Sequence, residues 1–227
     1  QVEHTRRVMG GDDLEMWTSA LLYSGTAAEG MTVMALSYIG PKLGPVRRMY
    51  WEGALGAAKQ HVDATTRALD ERLQEAVGGR AFTVMNPAVV TGASVAIPAM
   101  LRYISDYLGC DAAGQGVYDD PLDVGVHFAR SLYGEGEPWR AEIDEEDRLR
   151  LDQHELEPKL QEAIQALWEQ QGEGEPPAIT ATGLARFRAE YAQLFGWEVE
   201  GVDYEAPCVP DPPLGEAERV VDLIGRD

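Results

Sequence analysis

An α/β fold with a parallel sheet follows from three features of the sequence: two short apolar runs closed off by glycine or proline, an amphipathic stretch between them, and apolar helical patterns downstream. The 227 residues, 44% of them hydrophobic, are enough for one substantial domain or two small ones.

Gly11-Asp12-Asp13 opens a stretch in which Leu14, Trp17, Leu21 and Leu22 recur at helical spacing until Ser24-Gly25. The aspartates suit an N-cap and first turn, and this is the first predicted helix. Met31 to Ile39 is short, apolar and bounded by Gly30 and by Gly40-Pro41, the pattern of a strand buried on both faces. Beyond Lys59, the residues Val62, Leu69, Leu73 and Val77 mark one side of a helix that Gly78-Gly79 ends. Ala81 to Met85 reads as a second buried strand. A long apolar helix follows from about Ser94 to Leu108, with Pro98 bending it or standing in its first turn. Further helices are predicted over Leu122 to Tyr133, Pro158 to Gln171 and Leu184 to Phe195; Gly172 to Pro177 is a loop, and the proline-rich stretch from Glu205 is an extended tail.

Strand, crossover helix and strand make a βαβ unit with parallel strands. Two strands alone leave unpaired backbone at both outer edges, and both faces need cover. Either the later helices shield them or further strands come from another chain.

Asp and Glu outnumber Lys and Arg by 39 to 19, a net charge of -20, which argues against nucleic acid as a partner. The acidic runs Glu135 to Glu146 and Glu155 to Glu175 read as solvated faces. No window approaches the roughly 18 apolar residues of a membrane span, and Gln1 to Arg7 has no apolar run behind it, so neither a signal peptide nor an anchor is expected. Cys110 and Cys208 stand in unrelated contexts, which fits a reducing, cytoplasmic setting rather than a disulfide framework. His4, His61, His127 and His154 never reach metal-binding spacing, so no metal site is expected.

The chemistry concentrates in Arg47 to Lys59, where Tyr50 stands nine positions before Lys59 with Gly53 and Gly56 between them. An ammonium beside a phenol stabilises the phenolate and lowers the phenol's pKa, and the same ammonium can hold ribose hydroxyls. On one regular helix this spacing would put the two side chains about half a turn apart. The glycines argue against a regular helix there, which places Tyr50 in an irregular entry segment and Lys59 inside the helix that follows. Arg47 and Arg48 form a basic pair beside Tyr50, suited either to a solvated loop or to a phosphate of a pantetheine-bearing substrate.

Ser37-Tyr38-Ile39-Gly40-Pro41, Tyr50-Trp51-Glu52-Gly53 with Lys59, and Val89-Val90-Thr91 with Ala93-Ser94 and Ala96-Ile97-Pro98 together resemble the FabV-type enoyl-acyl-carrier-protein reductases and the related trans-2-enoyl-CoA reductases. The likeness runs from Val8-Met9-Gly10-Gly11 to Gly201-Val202-Asp203-Tyr204, nearly the whole chain. It implies reduction of the carbon-carbon double bond of a 2-enoyl thioester by NADH, with NADPH as the alternative donor, in fatty-acid or polyketide biosynthesis. It also implies a Rossmann-like sheet of the short-chain-dehydrogenase type with additional C-terminal helices.

By the same resemblance Tyr50 is the catalytic tyrosine and Lys59 the lysine that binds the nicotinamide ribose and tunes it. Tyr38 contacts substrate, and Val89, Val90 and Thr91 lie along the cofactor. The sequence departs from the family at Gly92, where glutamine is usual, and at Leu36, where an aromatic often stands. About two extra residues lie around Leu43 to Arg48. The glycine-rich turn that receives a dinucleotide pyrophosphate, which family members carry ahead of this region, has no counterpart in these residues.

The expected organisation is therefore the catalytic part of the fold over 1–133, a helical C-terminal extension over 134–204 and a tail over 205–227. The expected activity is that of one subunit of a split reductase, its sheet completed by a separate polypeptide carrying the glycine-rich half. The alternative is a non-catalytic scaffold subunit that keeps the fold. A carbonyl-reducing short-chain dehydrogenase is disfavoured, because that class spaces its tyrosine and lysine one helical turn apart.

Overall fold

A computed structural model describes residues 1–111, 118–134, 142–170 and 180–207. In chain order the elements are α1 (Val2–Met9), α2 (Asp12–Tyr23), β1 (Thr32–Ser37), α3 (Gly44–Tyr50), α4 (Gly53–Val77), β2 (Arg80–Met85), α5 (Gly92–Ala96), α6 (Pro98–Asp111), α7 (Pro121–Tyr133), β3 (Arg148–Arg150), α8 (Pro158–Glu169) and α9 (Ala181–Gln193).

The predicted βαβ unit is present. β1 and β2 pair in parallel from Thr32↔Arg80 to Ser37↔Met85, with α4 as the crossover. Gly78 ends α4 with a φ of 65°, the left-handed cap that glycine adopts without Cβ strain. Side chains alternate as the pleat requires. Val33 and Ala81 pack on α4 with Leu69 and Leu73, while Phe82 and Val84 pack with Val124 of α7 and Leu149 of β3.

A third strand corrects the expectation of a two-stranded sheet bare on both edges. β3 pairs in parallel with β2 from Thr83↔Arg148 to Met85↔Arg150, giving the order β1-β2-β3. Its sequence, Arg-Leu-Arg, carries no apolar run. It is fixed on both sides: Leu149 is buried with Phe82 and Val84, while Arg148 pairs with Asp144 at 2.8 Å, and Arg150 with Asp144 at 3.1 Å and Asp152 at 2.7 Å. This strand stands inside a stretch expected to be helical. The outer edge of β1 has no strand neighbour among the described residues, and Leu36 on it is 68% exposed.

Other departures have local causes. The helix expected from Ser94 to Leu108 is two helices: Pro98 stands in the first turn of α6, one of the two places expected for it, and Ile97 turns extended (φ -104°, ψ 102°) ahead of it, as a residue before proline tends to do. On α2 the packed line is Leu14, Thr18 and Leu22, spaced by one helical turn, so Trp17 is left 67% exposed. α1 was not anticipated: it buries no side chain and lies along α4.

The acidic runs are not simply solvated. Asp144 holds the arginines of β3, and Glu155 is fully buried. Of the first run, only Glu142 to Glu146 is described; the loop expected over Gly172 to Pro177, Cys208 and the tail beyond it lie outside the described residues. Cys110 is a free thiol. Among the described residues no helix is long and apolar enough to cross a membrane.

The largest core lies beyond the carboxyl ends of β1 and β2, where Val46 of α3, Ala88 and Val90, Tyr103, Ile104 and Tyr107 of α6, Ile164 of α8 and Phe187 of α9 close together. Tyr38 and Tyr50 pack against it.

Candidate active site

Tyr50 is the last residue of the short helix α3 rather than part of an irregular segment. α4 starts anew at Gly53, whose φ of +66° breaks the helical path, so the half-turn offset of a continuous helix does not apply. Gly56 has a different use: a Cβ there would sit 2.6 Å from the carbonyl carbon of Trp51. With the chain turned in this way, the Lys59 Nζ lies 5.5 Å from the centroid of the Tyr50 ring and donates a hydrogen bond to Ser37 Oγ at 3.1 Å. Ser37 ends β1 with the parity of Val33, so its side chain is on the α4 face, within reach of Lys59.

Burial pushes the Lys59 ammonium below its ordinary value, with Asp63 opposing, and pushes the Tyr50 phenol up. The lysine therefore stands over the ring face and is hydrogen-bonded to Ser37; the lowering of the phenol expected from the sequence is not what this geometry produces. Among the described residues the Tyr50 hydroxyl has no hydrogen-bond partner, which leaves it available to a ligand.

Tyr38 meets Tyr50 edge to face, ring centroids 5.0 Å apart at 89°, a contact worth about 0.5–1.5 kcal/mol. Unlike Tyr50, it is engaged: its hydroxyl donates to Glu155 Oε1 at 2.9 Å. Burial first, and then the Glu155 carboxylate, hold this phenol well above the ordinary range. Gly40 has a φ of +59°, and a Cβ there would collide with the Tyr38 hydroxyl, so glycine is required on both counts.

Glu155, which nothing in the sequence singled out, ties the two loops of the site together. Its second oxygen accepts the Ala88 amide at 2.6 Å, and the Tyr103 hydroxyl faces the same carboxylate. Burial pushes this carboxyl up to about 7. The only signal in the sequence was a glutamate flanked by the apolar Leu151, Leu156 and Leu160.

The segment after β2 is divided. Val89 is partly buried against Phe82 and Val84, whereas Val90 is a core residue whose amide donates to the Tyr118 hydroxyl at 3.1 Å. Thr91 is the N-cap of α5, its Oγ1 accepting from the Ser94 amide at 3.2 Å. Of the basic pair, Arg47 is committed to Glu52 at 2.9 Å and Arg48 is exposed. Among the described residues no cluster of His, Cys, Asp and Glu could hold a metal ion.

The segment between β1 and β2 thus delivers two phenols, one free and one held, and an ammonium to a single place. Residues 1–120 match the protein-family model for the trans-2-enoyl-CoA reductase catalytic region. The chain belongs to the trans-2-enoyl-CoA reductase family. Residues 143–208 match a second model, described as an enoyl reductase FAD binding domain; in this structure that stretch supplies β3, α8, α9 and Glu155.

Among curated relatives, the chain is 37% identical over 230 residues to an enoyl-[acyl-carrier-protein] reductase [NADH] of Paraburkholderia xenovorans, covering 97% of this chain and 53% of the relative. It is 40% identical to the enzyme of the same name from Xanthomonas campestris pv. campestris, covering 93% of this chain and 51% of the relative. Two solved structures share the fold. The trans-2-enoyl-CoA reductase of Clostridium acetobutulicum in complex with NADH superposes with a TM-score of 0.76 at 28% identity, over 92% of this chain and 50% of that one. That of Treponema denticola with NAD superposes with a TM-score of 0.73 at 31% identity, again over 92% and 50%. The reductase-family chain spans about half the length of the curated relatives it matches.

The residues present fit the nicotinamide-ribose end of a dinucleotide: Lys59 and Ser37 supply a cation and a hydroxyl at the carboxyl end of β1, the usual ligand end of such a sheet. The pyrophosphate end has no cradle among the described residues. β1 runs into Tyr38-Ile39-Gly40 and a helix of only seven residues, and β2 into Asn86-Pro87-Ala88 and a helix of five.

Proposed function

We propose that this chain carries the catalytic half of an NADH-dependent reductase that saturates the 2,3 double bond of an enoyl thioester, on coenzyme A or an acyl carrier protein, in fatty-acid biosynthesis. NADPH is the alternative donor. The observation that supports it most is the asymmetry of the tyrosines: Lys59 lies over the ring of Tyr50, whose hydroxyl is free, while the hydroxyl of Tyr38 is held by Glu155.

NADH, when bound, supplies the hydride that adds at the β-carbon. The π pair then moves toward the thioester carbonyl, and negative charge gathers on its oxygen. Tyr50 donates to that oxygen, an interaction stronger in the transition state than in the ground state. Lys59 holds the ribose and keeps positive charge beside the tyrosine. The charge on the oxygen then returns to the α-carbon, which takes a proton from water, completing the saturated thioester. Tyr38 contacts the acyl thioester, and Val89, Val90 and Thr91 contact the cofactor through the segment that Glu155 ties down; for Val90 that contact is made by the backbone, its side chain being buried.

The unpaired edge of β1 is continued by a glycine-rich half, carried by the same polypeptide as in a relative of twice the length, or by a separate one. If separate, the interface is obligate and exceeds roughly 2,000 Å². Residues 1–133 act as the catalytic part, 134–204 as an extension that returns β3 and Glu155 to it, and 205–227 as a tail. The enzyme works in the cytoplasm.

The test is NADH consumption with a 2-enoyl-CoA by this chain joined to the glycine-rich half of a relative, covalently or as a co-expressed pair. The expected result is loss of one double bond per NADH oxidised. A folded, NADH-binding assembly that reduces no enoyl thioester would contradict the proposal and favour the scaffold reading.

A further inference from the structure

We propose that Glu155 is a positioning residue that sets which way the Tyr38 hydroxyl points: the ionised carboxylate holds its proton away from the substrate, and the protonated acid releases it toward the substrate. The inference rests on the enoyl reductase reading for what Tyr38 faces, and on the hydrogen-bond geometry and burial of Glu155 for the rest.

Glu155 is fully buried, 117 residues beyond Tyr38, yet one carboxylate oxygen lies 2.9 Å from the Tyr38 hydroxyl and the other 2.6 Å from the Ala88 amide. An ionised carboxylate only accepts. Tyr38 must then donate to it and turns lone pairs toward any ligand, which repels an oxygen gaining negative charge. A protonated Glu155 donates to the Tyr38 oxygen instead. The phenol's own hydrogen is then released from the carboxylate and can turn to another acceptor; Gly40, which has no Cβ to collide with the hydroxyl, lets the Tyr38 oxygen sit this close to the loop.

The surroundings favour such a change. From the loop after β1 comes Tyr38, with Tyr50 behind it; α6 supplies Tyr103, whose hydroxyl accepts from Gln161 of α8 at 3.0 Å; the loop after β2 supplies the Ala88 amide. On its own segment Asp152 repels the carboxylate, though it is itself bound by Arg150. Among the described residues no Lys, Arg or His pairs with Glu155. A buried carboxyl without a counter-ion is held as the acid most readily. Burial accordingly places its titration at about 7, within the working range of an enzyme.

The experiment compares pH profiles of kcat/KM for the whole reductase and its Glu155→Gln and Tyr38→Phe variants, alongside the resonance of the Tyr38 ring carbon bearing oxygen in ¹³C-labelled protein. The wild type is expected to fall about tenfold or more, to a plateau, as pH rises through about 7. Glu155→Gln and Tyr38→Phe should each lack that fall. The Tyr38 carbon should shift with the same midpoint in the wild type and stay flat in Glu155→Gln. A fall that persists unmoved in either variant, or a flat Tyr38 resonance in the wild type, would overturn the inference. The resonance requires no turnover, so it is read even if the protein reduces no enoyl thioester, and Tyr38→Phe serves if Glu155→Gln does not fold.

Discussion

The Tyr38 hydroxyl donates to Glu155 Oε1 at 2.9 Å, joining the loop after β1 to a residue 117 positions later. Since Glu155 also accepts the Ala88 amide, one buried side chain fixes the two loops that follow β1 and β2. The site's geometry thus depends on a segment distant in sequence from the Tyr50–Lys59 pair.

Gly40 tests how closely Tyr38 is held. Gly40→Ala introduces a methyl into the Tyr38 hydroxyl at a φ of +59°. Strain at such a position costs about 1–3 kcal/mol. The expected outcome is a drop in melting temperature together with weaker enoyl thioester binding, with NADH affinity nearly unchanged. A variant with wild-type KM and stability would show that the loop has room the structure does not display.

Glu155 also imposes a pH dependence on stability. Its carboxyl is raised from 4.5 to about 7 in the folded chain, so between those values the native state holds a proton that the unfolded chain has released. Its contribution is therefore fully present below about 4.5 and lost as pH rises to about 7. The shift corresponds to roughly 3 kcal/mol. Denaturant unfolding should show Glu155→Gln gaining on the wild type by up to that amount across this window; a difference that stays constant with pH would exclude an elevated Glu155.

The open edge of β1 gives a prediction about assembly. Leu36 is 68% exposed, so Leu36→Asp should change the chain's own stability by no more than about 0.5 kcal/mol. It should nevertheless prevent docking of the glycine-rich half, read by co-purification or by loss of NADH binding. Normal assembly in that variant would mean that the sheet is not continued at β1.

Much of this architecture was legible because it is written in periodicity. The βαβ unit, its cap at Gly78 and the packed side of α4 follow from apolar spacing and glycine placement, and the pairing of β1 with β2 bears this out. The elements that escaped are those fixed by charge or by context. β3 is three residues whose two arginines are satisfied by Asp144 and Asp152; the alternation Arg148-Leu149-Arg150-Leu151, with both leucines buried, is its sequence signal, too short and too charged to read as a strand on its own. Trp17 matched the helical period of α2 but lies beside the line that Thr18 occupies. Glu155 was read within an acidic face, whereas its three donors come from segments that only the fold brings together. The break between α3 and α4 at Gly53 was signalled by the glycine, but the helical state of α3 was not.

Lys59 should act on cofactor as well as chemistry. Lys59→Ala removes the ammonium beside the Tyr50 ring and the donor to Ser37, and is expected to weaken NADH binding by roughly tenfold, about 1.4 kcal/mol, while also lowering kcat. Titration calorimetry on the assembled protein checks the first effect. Unchanged NADH affinity would confine Lys59 to the tyrosine.

The most direct measurement is the turnover of Tyr50→Phe in the assembled reductase. Its hydroxyl is the one free phenolic donor of the Tyr38–Tyr50 pair, so removing it should lower kcat by roughly 10²-fold or more while NADH binding and folding stay close to wild type. A rate within about threefold of wild type, far short of the loss expected for an oxyanion donor, would contradict the proton-donating role of Tyr50 and with it the catalytic reading of this chain.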